Sequence, residues 1–87
     1  MNPADRERLW RPRRKGRPYT AKGIARLACV RCGERAHATW GICADGNQHR
    51  PLCKACDVAL NAMVLRWAKH PDAANLIATY KRKVAAA

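Results

Sequence analysis

Two cysteine pairs of identical spacing, Cys29/Cys32 and Cys53/Cys56, form the pattern C-x2-C-x20-C-x2-C. No other feature limits the possible folds of this chain so strongly. A chain of 87 residues has room for one small core and usually needs a staple such as a metal or disulfides. The cysteine count is five. An odd count with paired C-x-x-C spacing fits a metal site in a reducing compartment better than a disulfide framework. Each pair can chelate one ion from a single turn. Four thiolates at about 2.3 Å make the closed tetrahedral shell of structural zinc. Cys29, Cys32, Cys53 and Cys56 are therefore the expected zinc ligands. The competing reading, four ordinary buried cysteines, leaves the matched spacing unexplained. Cys43 stands alone and reads as a small buried hydrophobe. His37 and His49 have no partner at ligand spacing and read as surface or satisfied histidines.

Around the pairs, local signals predict a small α+β arrangement. "CVRCG" has the shape of a knuckle: two thiolates on a tight turn, then Gly33 to supply an unusual backbone angle. "AHATWGI" alternates weakly as a strand, with Trp40 and Ile42 facing inward. Asp45-Gly46 is a two-residue hairpin signal, and "NQHRPL" is the returning strand, with Pro51 near its end. The run "CKACDVALNAMVLRWAKH" spaces Leu60, Met63, Val64 and Trp67 as a helical stripe, widened by Val58 and Leu65. The break "HPD" sets Pro71 at a first helical position and Asp72 in a first turn. A last helix puts Leu76, Ile77, Tyr80 and Val84 on one face. Lys81, Arg82 and Lys83 form its solvated end.

Charge supplies the second constraint. Eighteen Lys and Arg against six Asp and Glu give a formal charge of +12. Such a surface attracts polyanions through counterion release, so nucleic acid is the expected partner. No apolar run approaches the roughly 20 residues that cross a bilayer. The start "MNPADRERLW" has no apolar stretch behind its charges and does not read as a secretory signal. The expectation is a cytoplasmic protein with no membrane partner, compatible with nucleoid association or a phage-infected cell. Residues 1–26 are read as a basic flexible arm, because Pro12, Gly16, Pro18 and Gly23 interrupt helix and acids are few. Residues 27–87 are read as the zinc domain. Arg11, Arg13, Arg14, Lys15 and Arg17 lead the expected phosphate contacts. Arg26, Arg31, Arg35 and Arg50 are expected on the folded surface beside them. Trp10 and Tyr19 flank the charges and could stack on exposed bases. Within the arm, "RPRRKGRPY" resembles an AT-hook, with the core "KGRP" in place of Arg-Gly-Arg-Pro. That likeness implies an extended segment in an A·T minor groove, Gly16 letting the backbone approach and Arg17 inserting. A basic tail without sequence preference, or a nuclear-localisation run, fits the same residues.

The order knuckle, hairpin, helix with the second cysteine pair looks like a treble-clef zinc finger. More narrowly, "RPLCKACDVALN" resembles the corresponding segment of the phage recombination endonuclease VII group of the HNH superfamily, and the likeness extends over about residues 29–80. It implies a phage or bacterial origin and a metal-dependent nuclease ancestry. The family carries an Asp-His pair before its hairpin turn, and that pair is missing here. "WGICADG" puts Trp40 through Cys43 where acid and histidine are expected, and Asp57 stands where the family has Asn. His37, Asp45, His49 and Asp57 could regroup into a site, with His49 and Asp57 the candidate catalytic groups, although Asp57 also reads as an ordinary first-turn acid at a helix N-terminus. A general base must reach the attacking water and a catalytic metal must keep an open position.

The sequence thus predicts a treble clef with a C-terminal helix and a disordered basic arm, acting as a zinc-stabilised nucleic-acid-binding protein, DNA ahead of RNA. Two alternatives stay open. One is an active HNH-like endonuclease. The other is a small zinc subunit that docks on a larger nucleic-acid machine through helix 57–68, where Val58, Leu65 and Trp67 would leave an apolar patch exposed.

Overall fold

A computed structural model of the protein describes residues 2–11 and 20–87. Those residues divide between two compact units, Met1–Cys53 and Lys54–Ala87. The result is a small α+β protein with one two-stranded antiparallel hairpin and four helices among the described residues.

In the first unit, α1 spans Pro3–Leu9 and α2 spans Ala21–Ala25. Both fall inside the stretch read from sequence as an extended or disordered arm, and local capping explains the difference. The side chain of Asn2 accepts the Asp5 amide proton at 2.9 Å, and Pro3 opens the helix with the φ it already prefers. At α2 the Thr20 hydroxyl accepts from the Gly23 amide at 3.0 Å. The residues between 12 and 19, with most of the AT-hook-like stretch, lie outside the described residues.

Strands β1 (Ala38–Ile42) and β2 (Gln48–Leu52) pair in the register Ala38↔Leu52 through Ile42↔Gln48. The expected two-residue turn is instead a five-residue connection, 43–47, that includes a 3-10 turn at Cys43–Asp45. Gly46 (φ 65) and Asn47 (φ 61) both take left-handed backbone, which only Gly and Asn adopt readily. Trp40 does not face inward as expected but is 42% exposed. The buried residues of this unit are Cys29, Val30, Ala36, Arg50, Pro51, Leu52 and Cys53. Pro51 sits inside β2, where a two-stranded sheet tolerates its missing N–H. Its carbonyl accepts from the Val30 amide at 3.1 Å, tying knuckle to hairpin.

The second unit is a pair of packed helices, α3 (Lys54–Trp67) and α4 (Ala73–Ala86). Helix α3 ends as the sequence did not foresee, with Lys69 left-handed at φ 55. The His70 amide donates to Leu65 O at 3.0 Å and the Lys69 amide to Arg66 O at 3.1 Å, so the last carbonyls are satisfied by a Schellman turn. Helix α4 begins after Asp72, whose carboxylate accepts from Asn75 Nδ2 at 2.8 Å. Pro71 therefore precedes the helix rather than opening it. Val84 is buried, while Lys81, Arg82 and Lys83 are exposed, as a solvated helix end requires.

Candidate metal centre

The knuckle is built by its own backbone. The Cys29 amide donates to Glu34 O at 2.7 Å, and the Gly33 amide returns to Cys29 O at 2.9 Å. Gly33 has φ 83, the angle its lack of a Cβ was expected to provide. Ala28 and Arg35 form an isolated bridge that closes the turn from behind. Cys53 follows β2 directly, and Cys56 lies in the first turn of α3.

One ligand atom from each of Cys29, Cys32, Cys53 and Cys56 lies within 4.8 Å of the others. Cys32 Sγ and Cys53 Sγ are 3.5 Å apart. Four sulfurs at about 2.3 Å from a common ion, set tetrahedrally, would be about 3.8 Å from one another. The spacing therefore fits a metal held by four thiolates. Cys29 has no exposed surface, Cys53 and Cys56 are buried, and Cys32 is exposed. Among the described residues this is the sole group of three or more Cys, His, Asp or Glu placed to hold an ion. Cys43 takes no part. It is exposed on the 3-10 turn, not the small buried hydrophobe expected of it.

The other expected site residues are dispersed. Arg11, Arg26, Arg31 and Arg35 are exposed, whereas Arg13, Arg14, Lys15 and Arg17 lie outside the described residues. Arg50 is not on the surface at all; it is 1% exposed. Its Nη2 and Nε donate to the two carboxylate oxygens of Asp45, the former at 2.9 Å. Nη1 donates to Arg11 O at 2.9 Å and Nη2 to Trp10 O at 3.0 Å. The guanidinium carbon lies 5.1 Å from the Trp10 ring centroid, and Trp10 Nε1 donates to Val30 O at 3.2 Å. Trp10 is thus engaged on one face and at its indole nitrogen. Hydrogen bonding from Arg50 holds the Asp45 carboxyl below the usual carboxylate range, against partial desolvation, with the arginine's charge adding to the effect. Nothing in the sequence marked this pair, because residues five apart across a hairpin carry no periodic signal.

Of the two candidate catalytic groups, His49 is exposed on β2, its ring beside Gly41, where a Cβ would come within 3.2 Å of the imidazole. Asp57 is buried, with Tyr80 Oη donating to Oδ2 at 2.8 Å and Asn61 Nδ2 to Oδ1 at 2.9 Å. Burial, and then the hydrogen bond to and charge of Asp57, push the Tyr80 hydroxyl up to about 12. Asp57 lies in the first turn of α3, as its position suggests, but its carboxylate is buried and pins α3 to α4.

The fold and the cluster define a class: a small α+β protein with four cysteines arranged to hold a metal ion. No protein-family model, curated protein or solved structure matches the chain, and none supports the likeness to endonuclease VII. Among the described residues, no helix is long and apolar enough to cross a membrane.

Proposed function

We propose that this chain is a zinc-stabilised nucleic-acid-binding protein whose knuckle, hairpin and helix form a treble clef. The observation that carries the reading is the pairing of a four-thiolate cluster with a charge of +12. Four sulfur ligands in a closed shell favour zinc over harder ions. Arg26, Arg31 and Arg35 flank the knuckle on exposed backbone, and the basic run 11–17 adds the charge that a polyanion would draw on. DNA is favoured over RNA by the "KGRP" core alone. The test is a salt titration of oligonucleotide binding together with metal analysis of the purified protein. Log affinity should fall linearly with log salt, by about 0.9 per phosphate neutralised on duplex DNA. A flat response between low and moderate salt would refute charge-driven contact.

The endonuclease alternative draws less support, since both oxygens of Asp57 already accept hydrogen bonds. A plasmid-nicking assay with magnesium or manganese separates it: cleavage lost on His49→Ala or Asp57→Ala would favour the nuclease. Of the expected patch only Trp67 is exposed, Val58 and Leu65 being half-buried, so the docking alternative rests on Met63, Val64 and Trp67. These lie exposed on α3, Trp67 at 82%. A partner bound through this helix would cover them, and size-exclusion chromatography with candidate partners would show it.

A further inference from the structure

Within the first unit, α2 and the knuckle border a shallow, open cleft of about 450 Å³ that the metal centre does not use. Lys22, Arg26 and Arg35 line it with three cations, and Leu27, Ala28 and Gly33 form much of the remaining wall. No carboxylate lines it. Glu34, between Gly33 and Arg35 in the chain, is not part of the wall. The one segment of more than a single residue outside the described residues, 12–19, reads "PRRKGRPY" and has no acid to contribute.

Lys22, Arg26 and Arg35 are exposed, so their charges are free to meet a ligand in solvent, and like charges gathered on one surface repel one another. An anion in the cleft offsets that cost. The walls are fixed by backbone bonds: Arg26 N to Gly23 O at 3.2 Å, Leu27 N to Ile24 O at 2.9 Å, and Ala36 N to Leu27 O at 2.9 Å. The bridge between Ala28 and Arg35 joins the two sides. The cleft is open to solvent and its lining is mixed, which suits one charged unit of a longer strand passing over it, with a less polar group beside it.

We propose that this cleft seats one phosphodiester of a bound nucleic-acid strand. The phosphate oxygens meet Lys22, Arg26 and Arg35, and the adjoining sugar lies against Leu27 and Ala28. The proposal rests on the nucleic-acid-binding reading above and gives it a location. An inorganic phosphate ion shares the oxyanion chemistry, so the experiment must separate the two sources.

Two triple variants of the full chain are compared with the unaltered protein, after circular dichroism and metal content show that each is folded. One is Lys22→Gln/Arg26→Gln/Arg35→Gln. The other, Lys81→Gln/Arg82→Gln/Lys83→Gln, removes the same charge from the end of α4. The expected result is at least a tenfold loss of oligonucleotide affinity for the cleft variant, with the salt slope reduced by about 1, and a much smaller loss for the α4 variant. Equal losses would overturn the cleft and leave general charge-driven binding intact. Failure of the unaltered protein to bind any oligonucleotide would overturn both readings. A parallel NMR titration with inorganic phosphate completes the test. Saturable shifts of the Arg26 and Gly33 amides without oligonucleotide binding would assign the cleft to free phosphate and overturn the proposal.

Discussion

Arg50 grips Asp45 through two donors of one guanidinium edge, Nε and Nη2, and turns two further donors to the carbonyls of Trp10 and Arg11. The arginine end of this pair is sealed, whereas the Asp45 side chain keeps 29% of its surface. A single side chain therefore ties the hairpin to a segment 39 and 40 residues away in the chain. Arg50→Met keeps the volume and removes every one of these bonds. It should lower stability by about 2–4 kcal/mol, mainly through two carbonyls left without donors. Urea unfolding of the metal-loaded protein measures it, and a cost near zero would mean that the segment Trp10–Arg11 does not rest on Arg50. The pair also has a pH sense. The Asp45 carboxyl is depressed in the folded state, so its contribution is present above the ordinary carboxylate range. It is lost as pH falls through the lower folded value.

Removing the metal should unfold the chain. A structural zinc site contributes on the order of 10 kcal/mol, comparable with the roughly 5–15 kcal/mol total of a typical domain. Exhaustive chelation should abolish the near-UV dichroism of the tryptophans, and Cys29→Ser should do the same at low metal. Cys43→Ser should leave both metal content and dichroism unchanged, since Cys43 lies outside the cluster. A chelated protein that keeps its tertiary signal would remove the basis for a metal-held fold.

Tyr80 offers an alkaline test. The chain has two tyrosines, so Tyr19→Phe leaves Tyr80 as the sole phenol. Its absorbance near 295 nm should titrate near pH 12, the value to which burial and Asp57 raise it. The folded value lies above the unfolded one. The stabilisation is therefore complete below about pH 10 and is lost as pH rises toward 12. Titration at the ordinary tyrosine value would mean that the bond to Asp57 is not held in solution.

Lys69 pays for its left-handed backbone, which costs an L-residue about 1–2 kcal/mol and glycine almost nothing. Lys69→Gly should raise the thermal midpoint, with a gain of about 1 kcal/mol after the extra chain entropy of glycine is subtracted. Differential scanning calorimetry reads the shift. A drop would show that the Schellman turn at the end of α3 does not form.

The local chemistry was legible in the sequence. C-x-x-C spacing specifies chelation from one turn, so the four cysteines that cluster in the fold could be picked out without tertiary information. Gly33, the two strands of the hairpin and the helical run after Cys53 followed from backbone angle and periodicity in the same way, but the five-residue connection and the outward Trp40 did not. Burial of charge was decided elsewhere. Arg50 looked like one more surface cation, and its burial is tolerable because Asp45 across the hairpin and the carbonyls of Trp10 and Arg11, some 40 residues distant, accept its donors. Asp57 likewise became a pin between helices because Tyr80, 23 residues on, reaches its carboxylate. Spacing encodes what neighbours along the chain can do. A charge taken out of water must be compensated by whatever the completed fold brings within hydrogen-bonding distance, and that is settled only in three dimensions.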